Sequence, residues 1–183
     1  MRMSFKYFIL ALAFASSSSV LAQDFRKIDN SRFGIGPTLG HFDSTIGFGT
    51  TFDLLFKGMQ NAPLYFGLES GVVYWSDSGS AGSLSASVSL TSIPILPMVL
   101  YQFDLPASSV KPYIGVALGI SITPMSATVS YGGLSGSGSS TQIYFEGLVK
   151  PGLEISSFFI EPKLGLLKDE FVFLPTIGYF FDF

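Results

Sequence analysis

The chain contains no cysteine, a single histidine, and only 13% charged residues among its 183. Without cysteine there is no disulfide framework and no thiol or zinc-finger chemistry. One histidine cannot build the usual nitrogen shell of a catalytic or structural metal. The charged fraction is about half of the roughly 25% found in soluble domains, which argues against an ordinary water-soluble enzyme. Long apolar runs are missing too. Beyond residue 22 no uninterrupted run of Ala, Val, Ile, Leu, Met, Phe, Trp or Tyr exceeds four, as in Val72-Val73-Tyr74-Trp75. A membrane-spanning helix needs about twenty. What the chain does have is 48% hydrophobic residues, 15% aromatics, 20 Gly and 19 Phe. So apolar a chain has ample surface to bury and is not disordered, and its length suits one domain.

The first segment reads as an address. Arg2 and Lys6 make a basic start, Tyr7 to Ala15 an apolar run, and Val20-Leu21-Ala22 the small residues of a cleavage site. This is the three-part pattern of a secretory signal over residues 1–22, too short to span a bilayer, so the mature domain is expected at 23–183. The mature chain carries eight basic and thirteen acidic side chains, a net charge of −5. An acidic chain offers no electrostatic footprint for nucleic acid.

Residues 78–103 and 112–145 contain no charge, and their Gly, aromatic and β-branched residues read as strands. Alternation supports this, because successive strand residues point to opposite faces. In 46–56, Ile46, Phe48, Phe52, Leu54 and Phe56 oppose Gly47, Gly49, Thr51 and Asp53. The same split sets Leu64, Phe66, Leu68, Val72 and Tyr74 against Glu69, and Ile143, Phe145, Val149, Leu153 and Ile155 against Glu146, Lys150 and Glu154. Ile160 and Leu164 oppose Glu161 and Lys163. With 32–42, 85–103, 111–122 and the final stretch from Phe171, eight strands are predicted. Turns are expected at 43–44, 58–63, 76–82, 105–109, 131–140, 156–157 and 168–170. Eight alternating strands in about 160 residues match an all-β, eight-stranded antiparallel up-and-down barrel. A soluble barrel would keep Lys, Glu, Asp and Arg on its outer face, whereas here one face is greasy and the other is Gly, Ser, Thr and a few carboxylates. A transmembrane barrel is therefore expected, since hydrocarbon admits only helices and closed barrels.

Three segments carry a family resemblance. The chain ends on Phe, with Tyr179, Phe181 and Phe183 at alternate positions. Ile93-Pro94-Ile95-Leu96, followed by Tyr101, is one strand motif, and Lys111-Pro112-Tyr113 with Gly115 and Gly119 is a second. In these the sequence resembles the small Gram-negative outer-membrane β-barrels of the OmpA/OmpX/OmpW type. That resemblance implies outer-membrane lipid and lipopolysaccharide as surroundings. It also implies that Tyr179, Phe181 and Phe183 form the signal read by the outer-membrane assembly machinery. Such barrels serve as anchors, adhesins, pores and enzymes, so it leaves the task open.

No catalytic residue, metal site or cofactor is expected. Lipid A deacylases and palmitoyltransferases occur among small barrels, but acyl transfer needs a hydroxyl with a base beside it. The deacylases' His-x-Ser motif is absent, since Asp43 stands two after His41. Asp43, Asp77, Asp169 and Glu170 lack the spacing of a calcium loop, and the Gly132–Gly138 tract lacks the lysine and helix of a phosphate cradle. By parity Asp53, Glu69, Lys111, Glu146, Lys150, Glu154, Glu161 and Lys163 share the interior, where they are expected to pair as a polar network that plugs the lumen. The readings that follow are a monomeric structural or surface-interaction barrel, a narrow pore for small or hydrophobic solutes, and an acyl-modifying enzyme, in that order. Tyr65, Trp75, Tyr101, Tyr113 and Tyr179 are expected in headgroup girdles. The surface loops are expected at 41–45, 76–84, 124–141 and 167–170. Prolines 94, 97, 112, 162 and 175 each remove a ladder donor, and the Pro94/Pro97 pair suggests a lateral opening.

Overall fold

Period-two alternation runs from Arg32 to Asp182, and the chain resolves it by closing a single sheet on itself. The computed structural model describes residues 31–42, 45–59, 62–106 and 108–183. The leader over residues 1–22, and Asp43 and Ser44, lie outside the described residues. Eight strands follow in order: β1 (Ser31–Phe42), β2 (Thr45–Met59), β3 (Ala62–Ala81), β4 (Leu84–Gln102), β5 (Val110–Tyr131), β6 (Leu134–Ile155), β7 (Phe158–Leu167) and β8 (Glu170–Asp182). Each pairs antiparallel with its neighbour in sequence, and β1 pairs with β8, giving a closed up-and-down barrel. Closure leaves the barrel wall without a free edge.

The hairpins are tight. Ser156-Ser157, Lys168-Asp169 and Gly132-Gly133 all have positive φ at both central positions, as a two-residue type I′ turn requires. Only in the last pair does glycine supply that conformation without a side-chain clash.

The outward wall is apolar. One register row runs Phe66, Val99, Val116, Val149, Leu164 and Phe173 across six strands. Along β2 the outward side chains from Ile46 to Phe56 span ten residue steps, about 33 Å of strand, or roughly 25 Å of height at a tilt of about 40°. No outward position of the barrel wall bears a charged residue; His41 at the end of β1 is the nearest to one.

Four expectations are corrected here. Residues 76–81 and 84–91 are strand, as are 124–131 and 134–141, so the tracts expected to be loops are long hairpin arms turning only at Gly82-Ser83 and Gly132-Gly133. Gly and Ser lower strand propensity, but a continuous ladder to already formed neighbours outweighs it. Second, Tyr65, Trp75 and Tyr113 are buried in the interior and form no girdle, because their odd parity turns them inward. Third, the Pro94/Pro97 pair opens no gap. Ladder bonds are skipped beside them, yet Ser70↔Ile95 and Val73↔Ser92 keep one register on one side, and Ile95↔Ile120 and Met98↔Ala117 keep one on the other. Fourth, Lys111 is exposed at the rim. It has inward parity but lies at the start of β5, past the last packed layer of the interior.

Candidate functional site

The interior is layered along the barrel axis. At the end where β1 begins and β8 finishes, Arg32 enters from the start of β1. Its Nη1 and Nη2 donate to the two carboxylate oxygens of Glu154 at 2.8 and 2.7 Å, and its Nε donates to Asp182 at 2.8 Å. Gln102 Nε2 donates to the same Glu154 at 2.7 Å. The guanidinium lies 4.5 Å from the Phe180 ring centroid, which covers its flat face. Lys111 is the register partner of Glu154, yet Arg32 and Gln102 already fill that carboxylate.

The middle layer has two ammonium groups among three carboxylates. Lys150 Nζ lies 3.0 Å from Asp53, 2.6 Å from Glu69 and 3.3 Å from Glu161, with Met98 Sδ at 3.4 Å. Lys163 Nζ lies 2.6 Å from Glu69 and 3.4 Å from Glu161, and donates to Thr51 at 3.1 Å. Glu161 accepts no hydrogen bond of good direction, so charge alone ties it to both lysines. Lys150, Lys163 and Glu161 are wholly inaccessible to solvent. An ion buried without partners costs several kcal/mol, which is why the cluster interlocks five residues from β2, β3, β6 and β7.

Beyond it, Thr38 shares hydrogen bonds with Thr51 and Thr176 at 3.2 and 2.8 Å, and Ser92 with Ser121 at 2.5 Å. Glu146 is buried at this level and, among the described residues, forms no ion pair. Trp75 is buried at the far end. A methyl group added at Gly40 or Gly47 would sit 2.7 or 2.6 Å from its indole, so the ring lies flat on this register pair of glycines. Phe42 packs at 5.9 Å between ring centroids, with Leu90 and Tyr144 completing the layer.

Of the residues expected inside, Asp53, Glu69, Lys150, Glu161 and Lys163 meet in one cluster, Glu154 belongs to the rim pair, and Glu146 stands apart. Arg32 lies outside the set expected inside, although it shares the inward parity of Gly34, Gly36 and Thr38 in β1. That period-two signal was available. His41 is exposed on the outward side at the end of β1, and its only sequence-adjacent carboxylate, Asp43, is outside the described residues.

At the C-terminus, Tyr179 and Phe181 lie outward on β8 with ring centroids 4.8 Å apart, against Phe158 at 5.0 Å and Phe33 at 6.5 Å respectively.

The sequence matches no protein-family profile and no curated protein. Among solved structures, the chain is similar to Ail, the attachment invasion locus protein of Yersinia pestis, at a TM-score of 0.48 and 15% identity over 84% of this chain and 99% of that one. It is also similar to Neisserial surface protein A, at 0.46 and 16% over 84% and 96%. A third is the N-terminal β-barrel domain of Pseudomonas aeruginosa OprF, at 0.45 and 14% over 82% and 97%.

Proposed function

We propose that the chain is an exported, monomeric outer-membrane barrel that does no chemistry and passes no solute. Its interior network seals the lumen, and its role is structural or interactional. One observation carries this reading: the wall is inside out, with no charge on the outward positions of its roughly 25 Å apolar band and eight ionic side chains packed within. In water, an encircling band with Val116, Val149 and Leu164 exposed at 46%, 44% and 39% would be far larger than a soluble monomer tolerates. In hydrocarbon it is the required surface, and closure of the sheet gives every strand of the wall a hydrogen-bonded neighbour on each side. Export by the leader over residues 1–22 belongs to the same reading.

The seal rests on the lysine–carboxylate cluster at mid-height and on Trp75 above it, which leave no solvent-accessible atom on Lys150, Lys163 or Glu161. Reconstituted in planar bilayers, the full chain is expected to give heat-modifiable gel mobility and no discrete conductance steps. Steps of uniform size would favour the narrow conduit instead. A soluble, monodisperse product purified without detergent would end the membrane reading. Acyl transfer has no support in the geometry, because the one imidazole points away from the interior hydroxyls.

The outward aromatic ladder Tyr179, Phe181 and Phe183 fits a β-signal for the assembly machinery. Deleting Phe183 is expected to lower folded yield in cells severalfold while leaving refolding from urea into detergent unchanged. Equal losses in both would make Phe183 a stability element and not a signal.

A further inference from the structure

Strands β3 to β6 outrun the other four. Pairing of β2 with β3 stops at Phe48↔Tyr74, and that of β6 with β7 at Glu146↔Leu167. The pairing of β3 with β4 continues to Ala81↔Leu84, and that of β5 with β6 to Tyr131↔Leu134. A four-stranded sheet therefore projects beyond the apolar band. Its outward face, continuous with the lipid-facing wall, is a register-aligned array of hydroxyls. One row reads Ser76, Ser89, Ser126 and Ser139. The next reads Ser78, Ser87, Thr128 and Ser137, and the third Ser80, Ser85, Ser130 and Ser135. Strand geometry spaces these hydroxyls about 4.8 Å apart across strands and about 6.7 Å along them.

Strand stability does not explain the array. Serine is not among the residues that favour strands, and a wall built for pairing alone would carry Val, Ile or Thr. Nor is serine spread evenly over both faces, for the opposite face presents Leu84, Val88, Val129, Tyr131 and Leu134, with Ser140 its one serine. The one charged residue of the projection, Asp77, is also on that opposite face. The hydroxyl face thus has no cation for a phosphate and no carboxylate for a cation. Each hydroxyl can donate once and accept twice, and neighbours already exchange such bonds, as Ser89 and Ser126 do at 2.7 Å. The complementary ligand is neutral and rich in hydroxyls.

Position names its source. The third row stands six residues past Tyr74, so the array reaches about 20 Å of strand beyond the acyl-chain level. Resting on the membrane reading above, we propose that this face binds the neutral sugar units of the glycolipid that surrounds the barrel in the outer leaflet. A single exposed hydroxyl contact gains little over water. Ligands anchored in the same plane, however, are held at high effective concentration, and twelve contacts act together.

The test uses the refolded full chain in detergent micelles and lipid-free core oligosaccharide from lipopolysaccharide, dephosphorylated, as the probe in saturation-transfer NMR. Transfer to sugar protons is expected. It should fall about fivefold when Ser78, Ser87, Thr128 and Ser137 are all replaced by valine, which keeps strand propensity while removing one row of weak contacts. The four alanine replacements give a second route to the same loss with less added bulk. Heat-modifiable mobility reports folding of each variant. Absence of transfer from the wild-type chain overturns the proposal, as does equal transfer from the variants. Binding that needs the phosphates overturns it, and so does protein self-association that the row variants abolish. A failure of the membrane reading is seen separately, as detergent-free solubility.

Discussion

Replacing Lys150 by methionine is expected to destabilise the barrel by about 3–5 kcal/mol, the cost of breaking a buried ion pair from one side. The ammonium is wholly buried and touches three carboxylates, Asp53, Glu69 and Glu161. Methionine fills nearly the same volume beside Met98, so the loss is electrostatic more than steric. It leaves three carboxylates facing the single charge of Lys163. Lys163→Met should cost less, because Glu69 and Glu161 would keep Lys150 and Thr51 would keep its hydrogen bond with Thr38. A second substitution, Glu161→Gln, should recover a substantial part of the Lys150→Met loss, since Glu161 is held by charge and by no well-directed hydrogen bond. Urea unfolding of the three variants in detergent, read by the emission of Trp75, the one tryptophan in the chain, measures all of this. A Lys150→Met shift below about 1 kcal/mol would mean that water reaches the cluster, since solvated pairs are worth no more than that. In that case the sealed lumen falls and the conduit gains.

The strand arithmetic was legible because the barrel wall has two different solvents on its two faces. In 46–56 a one-residue slip would exchange Phe48 and Phe52 for Thr51 and Asp53, so parity alone separates outside from inside. Parity says nothing about height. Lys111 and Lys150 share the inward face, yet one is exposed at the rim and the other lies at the centre, because depth depends on the stagger between neighbouring strands. Stagger likewise decides which charge meets which, as when Arg32 of β1 reaches Glu154 of β6 across the lumen. The projecting hairpins were hidden for another reason. Gly and Ser punctuate turns in most sequences, and the alternation Ser76-x-Ser78-x-Ser80 is a strand period in which the polar side faces out and the apolar side in.

Placing an arginine at Val116 is expected to cost about 2–4 kcal/mol in a phospholipid bilayer, the penalty of a cation on the lipid face at mid-height. Val116 is the middle of the outward row that joins Val99, Val149 and Leu164, and Leu118 and Ile114 flank it along β5. Its sequence neighbour Ala117 is inward and fully buried, so the substitution moves one charge onto one face and leaves the interior untouched. The sign of the effect names the solvent. If water bathed this wall, an arginine at a position 46% exposed would be neutral to within about 0.5 kcal/mol, as surface changes are. Ser87→Arg supplies the matched control. It too is on the outward face, but in the projection beyond the band, and should leave stability unchanged within the same margin. Unfolding free energies measured in vesicles decide the matter. A large loss at Val116 with none at Ser87 sets the upper limit of the hydrocarbon layer between these two heights. Equal and small effects at both would return the chain to water, and the apolar band would then need a protein partner to cover it.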